Sequence, residues 1–214
     1  MQSHIERDVQ AILRVTDHIA FSRFLTLVAA NTGQLLNHAS LARDIGVDNK
    51  TIKNWLSILE TSGLMIYLLQ PYFSNLNKRV VKAPKRHFLD TGLDAYLTRW
   101  PDAAALQAGS LSGAILETWV VSEIIQSYWH NGKDAPLLYY RDSDMREVDL
   151  LIESGDTLYP VEIKRTATPT RHGCRHFSVI ETLGKRQEHG AVVCLVDAPL
   201  RLSGSVKAVS VLSF

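Results

Sequence analysis

"EVDLLIESGDTLYPVEIKRT", Glu147 to Thr166, sets five acidic and two basic residues into what otherwise reads as two short apolar strands joined by a glycine turn. Charges are rarely placed in the middle of core strands, so Asp149, Glu162 and Lys164 need a reason. Side chains alternate across a strand, which puts Glu162 and Lys164 on one face while Val161 and Ile163 pack behind. The hairpin register decides the rest. If Ser154 and Thr157 flank a two-residue turn, Asp149 lies directly opposite Glu162. If the turn is one residue earlier, Glu147 faces Glu162 and Asp149 is its diagonal neighbour. Either register brings Asp149 and Glu162 onto one face, about 5 to 8 Å apart, where like charges repel unless a cation sits between them.

Magnesium suits such a pair, and manganese can stand in for it. Magnesium takes one or two carboxylates, keeps several waters and meets the phosphate oxygens of a substrate. Lys164, two residues beyond Glu162, would reach the same place as a point charge. Upstream, "GAILETWVVSEIIQSYW" has helical periodicity. At about 100° per residue, Gly113, Ala114, Glu117, Val120, Val121 and Ile124 share one side, with Glu117 as its only charge. A carboxylate aimed into a core must be paired, protonated or bound to a metal. A backbone amide or an arginine would satisfy Glu117; so would a metal held jointly with Asp149 and Glu162. The second arrangement is suited to phosphodiester hydrolysis.

Further toward the N-terminus, residues 5 to 30 read as helical, with apolar residues from Val9 to Val28 at three- and four-residue steps. "NHASLARDIGVDNKTIKNWLSILETSGLMIYLL" then has the order of a helix-turn-helix. A short helix from Ser40 points Leu41, Ala42 and Ile45 inward and turns at Gly46. A second helix opens near Asp48 or Asn49, buries Ile52, Trp55, Leu56 and Leu59, and stops at Gly63. The strands "LMIYLLQ" and "KRHFLD" complete a winged-helix order. Lys50, Thr51, Lys53 and Asn54 are then placed to meet a DNA groove. Lys78, Arg79, Lys82, Lys85 and Arg86 lie where a wing would contact phosphates. The alternative is a winged helix that packs on another domain, its lysines simply solvated.

The 214-residue chain carries a net charge of only +1, so any DNA binding must come from local patches. There is no GxxxxGK[ST] phosphate loop, which argues against ATP hydrolysis by this chain. No apolar run is long enough to cross a bilayer, and "MQSHIERDVQ" is too polar for a signal peptide, so a cytoplasmic protein without a membrane partner is expected. Cys174 and Cys194 stand alone, which fits a reducing compartment. His172, Cys174 and His176 alternate as ligands on one side of a strand would, without a fourth. The small, glycine-dotted "TRWPDAAALQAGSLSG" marks a domain boundary, giving domains at 1–104 and 105–214.

A helix glutamate, a strand aspartate and then Glu-x-Lys resemble the PD-(D/E)XK nuclease superfamily. The resemblance makes Asp149 the metal-binding aspartate, Glu162 and Lys164 the (D/E)XK pair, and Glu117 the acid of the first helix. Val148 stands where many members have proline. A longer resemblance runs through "FLTLVAANTGQLLN", "LARDIGVDNKTIKNWLSILETSGLMIYLLQPY", "NKRVVKAPKRHFLDTGLDAYL", "GAILETWVVSEI" and "LYPVEIKRT". These segments are similar to the C-terminal half of a bacterial and archaeal family of AAA-type ATPases, without the ATPase core. The resemblance implies an α/β (α+β) chain, with an N-terminal helical winged-helix domain followed by a PD-(D/E)XK restriction-endonuclease-like α/β domain. It also implies DNA as partner, an ATPase core domain or subunit as a second, and a tendency to form oligomers. Two functions follow as expectations: a magnesium-dependent nuclease, or a non-catalytic DNA- or protein-binding regulator of an ATPase with a vestigial nuclease fold.

Overall fold

The computed structural model describes residues 17–61, 66–73 and 83–213. The expected helix over residues 5 to 16, Gly63, and the wing residues Lys78, Arg79 and Lys82 lie outside these. The chain is a mixed α/β protein. Helix α1 (His18–Ala29) begins where the Asp17 carboxylate accepts from the Ala20 amide, and it buries Phe21, Phe24, Leu25 and Val28 at helical spacing. Helix α2 (His38–Ile45) is capped by Asn37 and ends at Gly46, whose φ of +86° is costly for a residue with a Cβ. Helix α3 (Asn49–Thr61) buries Ile52, Trp55, Leu56 and Leu59, the four residues expected from its periodicity. Phe21, Phe24 and Trp55 meet with ring centroids 5.2 to 5.7 Å apart. Burying rings of this size stabilises by about 2 kcal/mol each, enough to anchor three short helices that would be marginal alone.

Strand β1 (Ile66–Pro71) pairs antiparallel with β2 (Lys85–Phe88), as a wing hairpin would. It also pairs in parallel with β3 (Leu137–Arg141) through Gln70 and Leu138. The hairpin therefore belongs to a larger sheet that continues through β4 (Glu147–Ser154), β5 (Thr157–Ile163), β7 (Gly190–Cys194), β9 (Val206–Ser210) and β8 (Leu200–Arg201) in the order β2-β1-β3-β4-β5-β7-β9-β8, and so crosses the 104/105 boundary. Between these strands lie helices α4 (Thr91–Leu97), α5 (Ala103–Ala108) and α6 (Ser112–His130). Val120, Val121 and Ile125 of α6 pack on one face of the sheet with Leu150, Val161 and Ile163. The other face, carrying Leu151, Leu158 and Val192, is covered by Phe177 and the one-turn helix α7 (Val179–Thr182).

Strands β4 (Glu147–Ser154) and β5 (Thr157–Ile163) form the hairpin, with Ser154 opposite Thr157 and Leu150 opposite Val161. This is the first of the two registers considered from the sequence, and continuing it one step sets Asp149 opposite Glu162. Gly155 takes φ +58° at the first turn position, the conformation a two-residue hairpin loop of this kind demands. Strand β7 (Gly190–Cys194) runs parallel to β5, and β9 (Val206–Ser210) parallel to β7. The two-residue strands β6 (Arg186–Gln187) and β8 (Leu200–Arg201) pair with β5 and β9.

Candidate metal and phosphodiester site

Asp149 sits where β4 departs from regular pairing. The partners Leu138–Leu151 and Tyr140–Val148 leave one extra residue on β4, a bulge of the kind that re-aims side chains beside functional sites. Asp149 Oδ2 accepts from the Ile163 amide at 2.8 Å, so its carboxylate takes over from the ladder beyond the Leu150–Val161 pair. Both Asp149 and Glu162 are buried. Lys164 Nζ lies 2.5 Å from Glu162 Oε1 and 3.9 Å from Asp149 Oδ2, so three of the sequence-predicted residues converge. The lysine remains about half-exposed.

Glu117 reaches the same region from α6 by a route the sequence did not indicate. It accepts from Lys85 Nζ at 3.1 Å, and Lys85 also meets Glu147 Oε1 at 2.6 Å. Gly33, with φ +71°, comes so close that a Cβ there would lie 3.6 Å from Glu117 Oε2. The Arg141 guanidinium stands 3.8 Å from Glu147 Oε2 at the rim. Four carboxylates thus meet two ammonium groups and one rim guanidinium. Burial pushes the Glu117 and Glu162 carboxyls up from their ordinary range, and the nearby Asp149 charge pushes each further. Lys85 behaves in the opposite way. Burial alone would lower it, but Glu117, Asp149 and Glu147 more than offset that and hold its proton firmly.

Lys85 and Arg86 therefore do not lie along a phosphate-facing wing. Every residue of β2 is buried. Arg86 spends its Nε on the Asn31 carbonyl at 3.0 Å, and burial lowers its guanidinium to about 10. The His172, Cys174 and His176 alternation also proves different. Arg171–Cys174 is a 3-10 turn, which does not keep alternate residues on one side, and Arg175 bonds the Nε2 atoms of both His172 and His176. His176 Nδ1 lies 3.1 Å from the Glu147 carbonyl, tying this loop to the site. Both cysteines are free thiols. Lys50, Lys53 and Asn54 are exposed on α3.

Sequence reasoning named Lys85, Glu147 and His176 in other roles and did not bring them to this site, where the structure puts them. Glu147 had appeared only in the unused register. Lys85 looked like one more positive charge in a basic loop, and the signal against that was its place at the head of the apolar-ended strand "KRHF".

Among the described residues, no three His, Cys, Asp or Glu side chains converge as a ready metal cage. Asp149 and Glu162 nevertheless suit a divalent ion that keeps most of its waters, because one or two carboxylates suffice for magnesium. Glu117 is engaged by Lys85 instead. No described helix is long and apolar enough to cross a membrane.

Fold and site define a mixed α/β protein with a carboxylate–lysine cluster at the join of its two halves. Residues 1–104 match a family described as a domain of unknown function, DUF8612, and residues 112–214 match a second, DUF4143. Over 166 residues, 78% of its length, the chain is 34% identical to an uncharacterized protein of Mycobacterium bovis and equally to one of Mycobacterium tuberculosis. It spans 36% of each of those proteins. No solved structure matches.

Proposed function

We propose that this chain carries a PD-(D/E)XK-type site for metal-dependent phosphodiester hydrolysis, acts on DNA, and works beside an AAA-type ATPase core. The observation that carries the proposal is the convergence of Asp149, Glu162 and Lys164 on one hairpin end. Asp149 and Glu162 would hold the magnesium or manganese ion, which would offset charge on the scissile phosphate and lower the pKa of a bound water. Asp149 is held for this by the Ile163 amide. Lys164 now neutralises Glu162; once a divalent ion does so, the half-exposed ammonium is free to turn toward phosphate. Next to it opens a cleft of about 310 Å³, lined by Glu162 and by Lys164, Thr166, Thr168, His172 and Arg175, the last five carrying donors suited to a nucleic-acid backbone. The N-terminal half fits a winged helix, its exposed Lys50, Lys53 and Asn54 available to DNA.

A second reading, a non-catalytic regulator, draws support from the close pairing of Lys164 with Glu162 and of Lys85 with Glu117, a network already neutralised in part. Cleavage of plasmid and single-stranded DNA in magnesium or manganese separates the two. The nuclease reading expects cleavage by the wild type and at least a ~100-fold loss in Asp149→Ala and Lys164→Ala, the order expected when a group essential to such chemistry is removed. Equal activity in all three proteins, or none in the wild type, would refute it.

A further inference from the structure

The acid cluster divides into two pairs whose counter-cations differ in exposure. One pair, Asp149 and Glu162, is matched by Lys164, whose side chain is 46% exposed and has room to swing away. The other, Glu117 and Glu147, is matched by Lys85, whose side chain is only 4% exposed. Lys85 cannot leave in the same way. It stands in a four-residue strand that is buried throughout, bonded on one side to β1 and bridged on the other to Leu35. Its ammonium also lies 5.5 Å from the centroid of the Tyr139 ring.

Many enzymes that cleave phosphodiesters use two divalent ions about 4 Å apart. In this protein the carboxylates available to a second ion are Glu117 and Glu147, and both are bonded to Lys85. We propose that Lys85 is a built-in counter-cation that takes the place of a second metal and confines the site to one divalent ion. Lys85 comes from the N-terminal half and its acids from the C-terminal half, so the N-terminal half sets the metal stoichiometry. The inference rests on the reading of Asp149 and Glu162 as metal ligands. Lys85 acts on the chemistry only through Glu117 and Glu147, as a positioning residue.

The test is to count manganese ions bound by the full chain, using equilibrium dialysis and electron paramagnetic resonance. The wild type should bind one ion, lost in Asp149→Ala. Lys85→Gln leaves Glu117 without its ammonium and Glu147 with only the rim guanidinium of Arg141, and should bind two, while Lys85→Arg keeps the charge and should bind one. Two ions in the wild type, or one in folded Lys85→Gln, would overturn the inference while leaving the metal reading standing. An absence of binding by the wild type would overturn both. If Lys85→Gln does not fold alone, millimolar manganese should restore its circular dichroism spectrum with two ions per chain. Failure to restore it would also count against the proposal.

Discussion

Replacing Asp94 with asparagine should stabilise the protein more and more as pH rises. Asp94, on α4, has no exposed surface, and neither of its oxygens meets hydrogen-bonding geometry. The Thr32 hydroxyl is close enough to lower its pKa, against the larger effect of burial, while also meeting the Thr118 hydroxyl and accepting from the Phe88 amide. Burial raises the Asp94 carboxyl from 3.8 to about 7. A carboxyl raised in the folded state is protonated there while the unfolded chain has already lost its proton. Its penalty is therefore absent below the unfolded value, grows between roughly pH 4 and 7, and is constant above that. Each unit corresponds to about 1.4 kcal/mol, so between pH 5 and pH 8 the wild type should lose on the order of 3 kcal/mol through this group alone. Asparagine carries no such charge, and any cost of its own unsatisfied amide does not change with pH. The quantity to read is therefore the change with pH in the stability difference between the two proteins, from urea unfolding. A difference that stays flat from pH 5 to pH 8 would refute the reasoning, whatever its sign.

Two further outcomes are expected. Lys50→Ala with Lys53→Ala should weaken DNA binding and reduce the slope of log affinity against log salt by roughly 2, one for each phosphate that no longer meets a lysine; an unchanged slope would assign α3 to packing. Gly190→Ala should destabilise by about 1 to 3 kcal/mol in thermal or urea unfolding, because its Cβ would stand 2.7 Å from the Phe177 ring and 3.2 Å from Pro160, both in a packed interior. A neutral substitution there would mean that the ring moves freely.

Local chemistry made some of this protein legible from its residues. The period of two along "EVDLLIE" and "LYPVEIK", with a glycine at the turn, was enough to place Asp149, Glu162 and Lys164 together, because both registers open to so short a turn put the two carboxylates on one face; the structure adopts the one with Ser154 opposite Thr157. Helical spacing was equally sufficient for α1, α2 and α3, whose buried residues recur every three or four positions. For α6 the same reasoning was only partly adequate. Glu117 stood out as the charge on an apolar face, but burial spreads around the helix to Ile115, Thr118, Ser122 and Ile125, and Gly113 is exposed. A helix covered on several sides has no single face for periodicity to report.

What only the tertiary structure decided is the company Glu117 keeps. Its partner Lys85 is 32 residues away in sequence, and Glu147 is farther still from that lysine. A strand buried on every side shows no alternation by which to read its direction, so "KRHF" gave no sign of where Lys85 points. Nor does a sequence reveal that β1 will pair with β3 and carry the N-terminal hairpin into the sheet of the C-terminal half. Parallel pairing between distant strands is chosen by global packing, not by any turn between them. The sequence by itself determined the Asp149, Glu162 and Lys164 hairpin. The fold alone placed a second lysine behind it, where the surrounding carboxylates keep that lysine charged against the effect of burial and the packed strand keeps it in place.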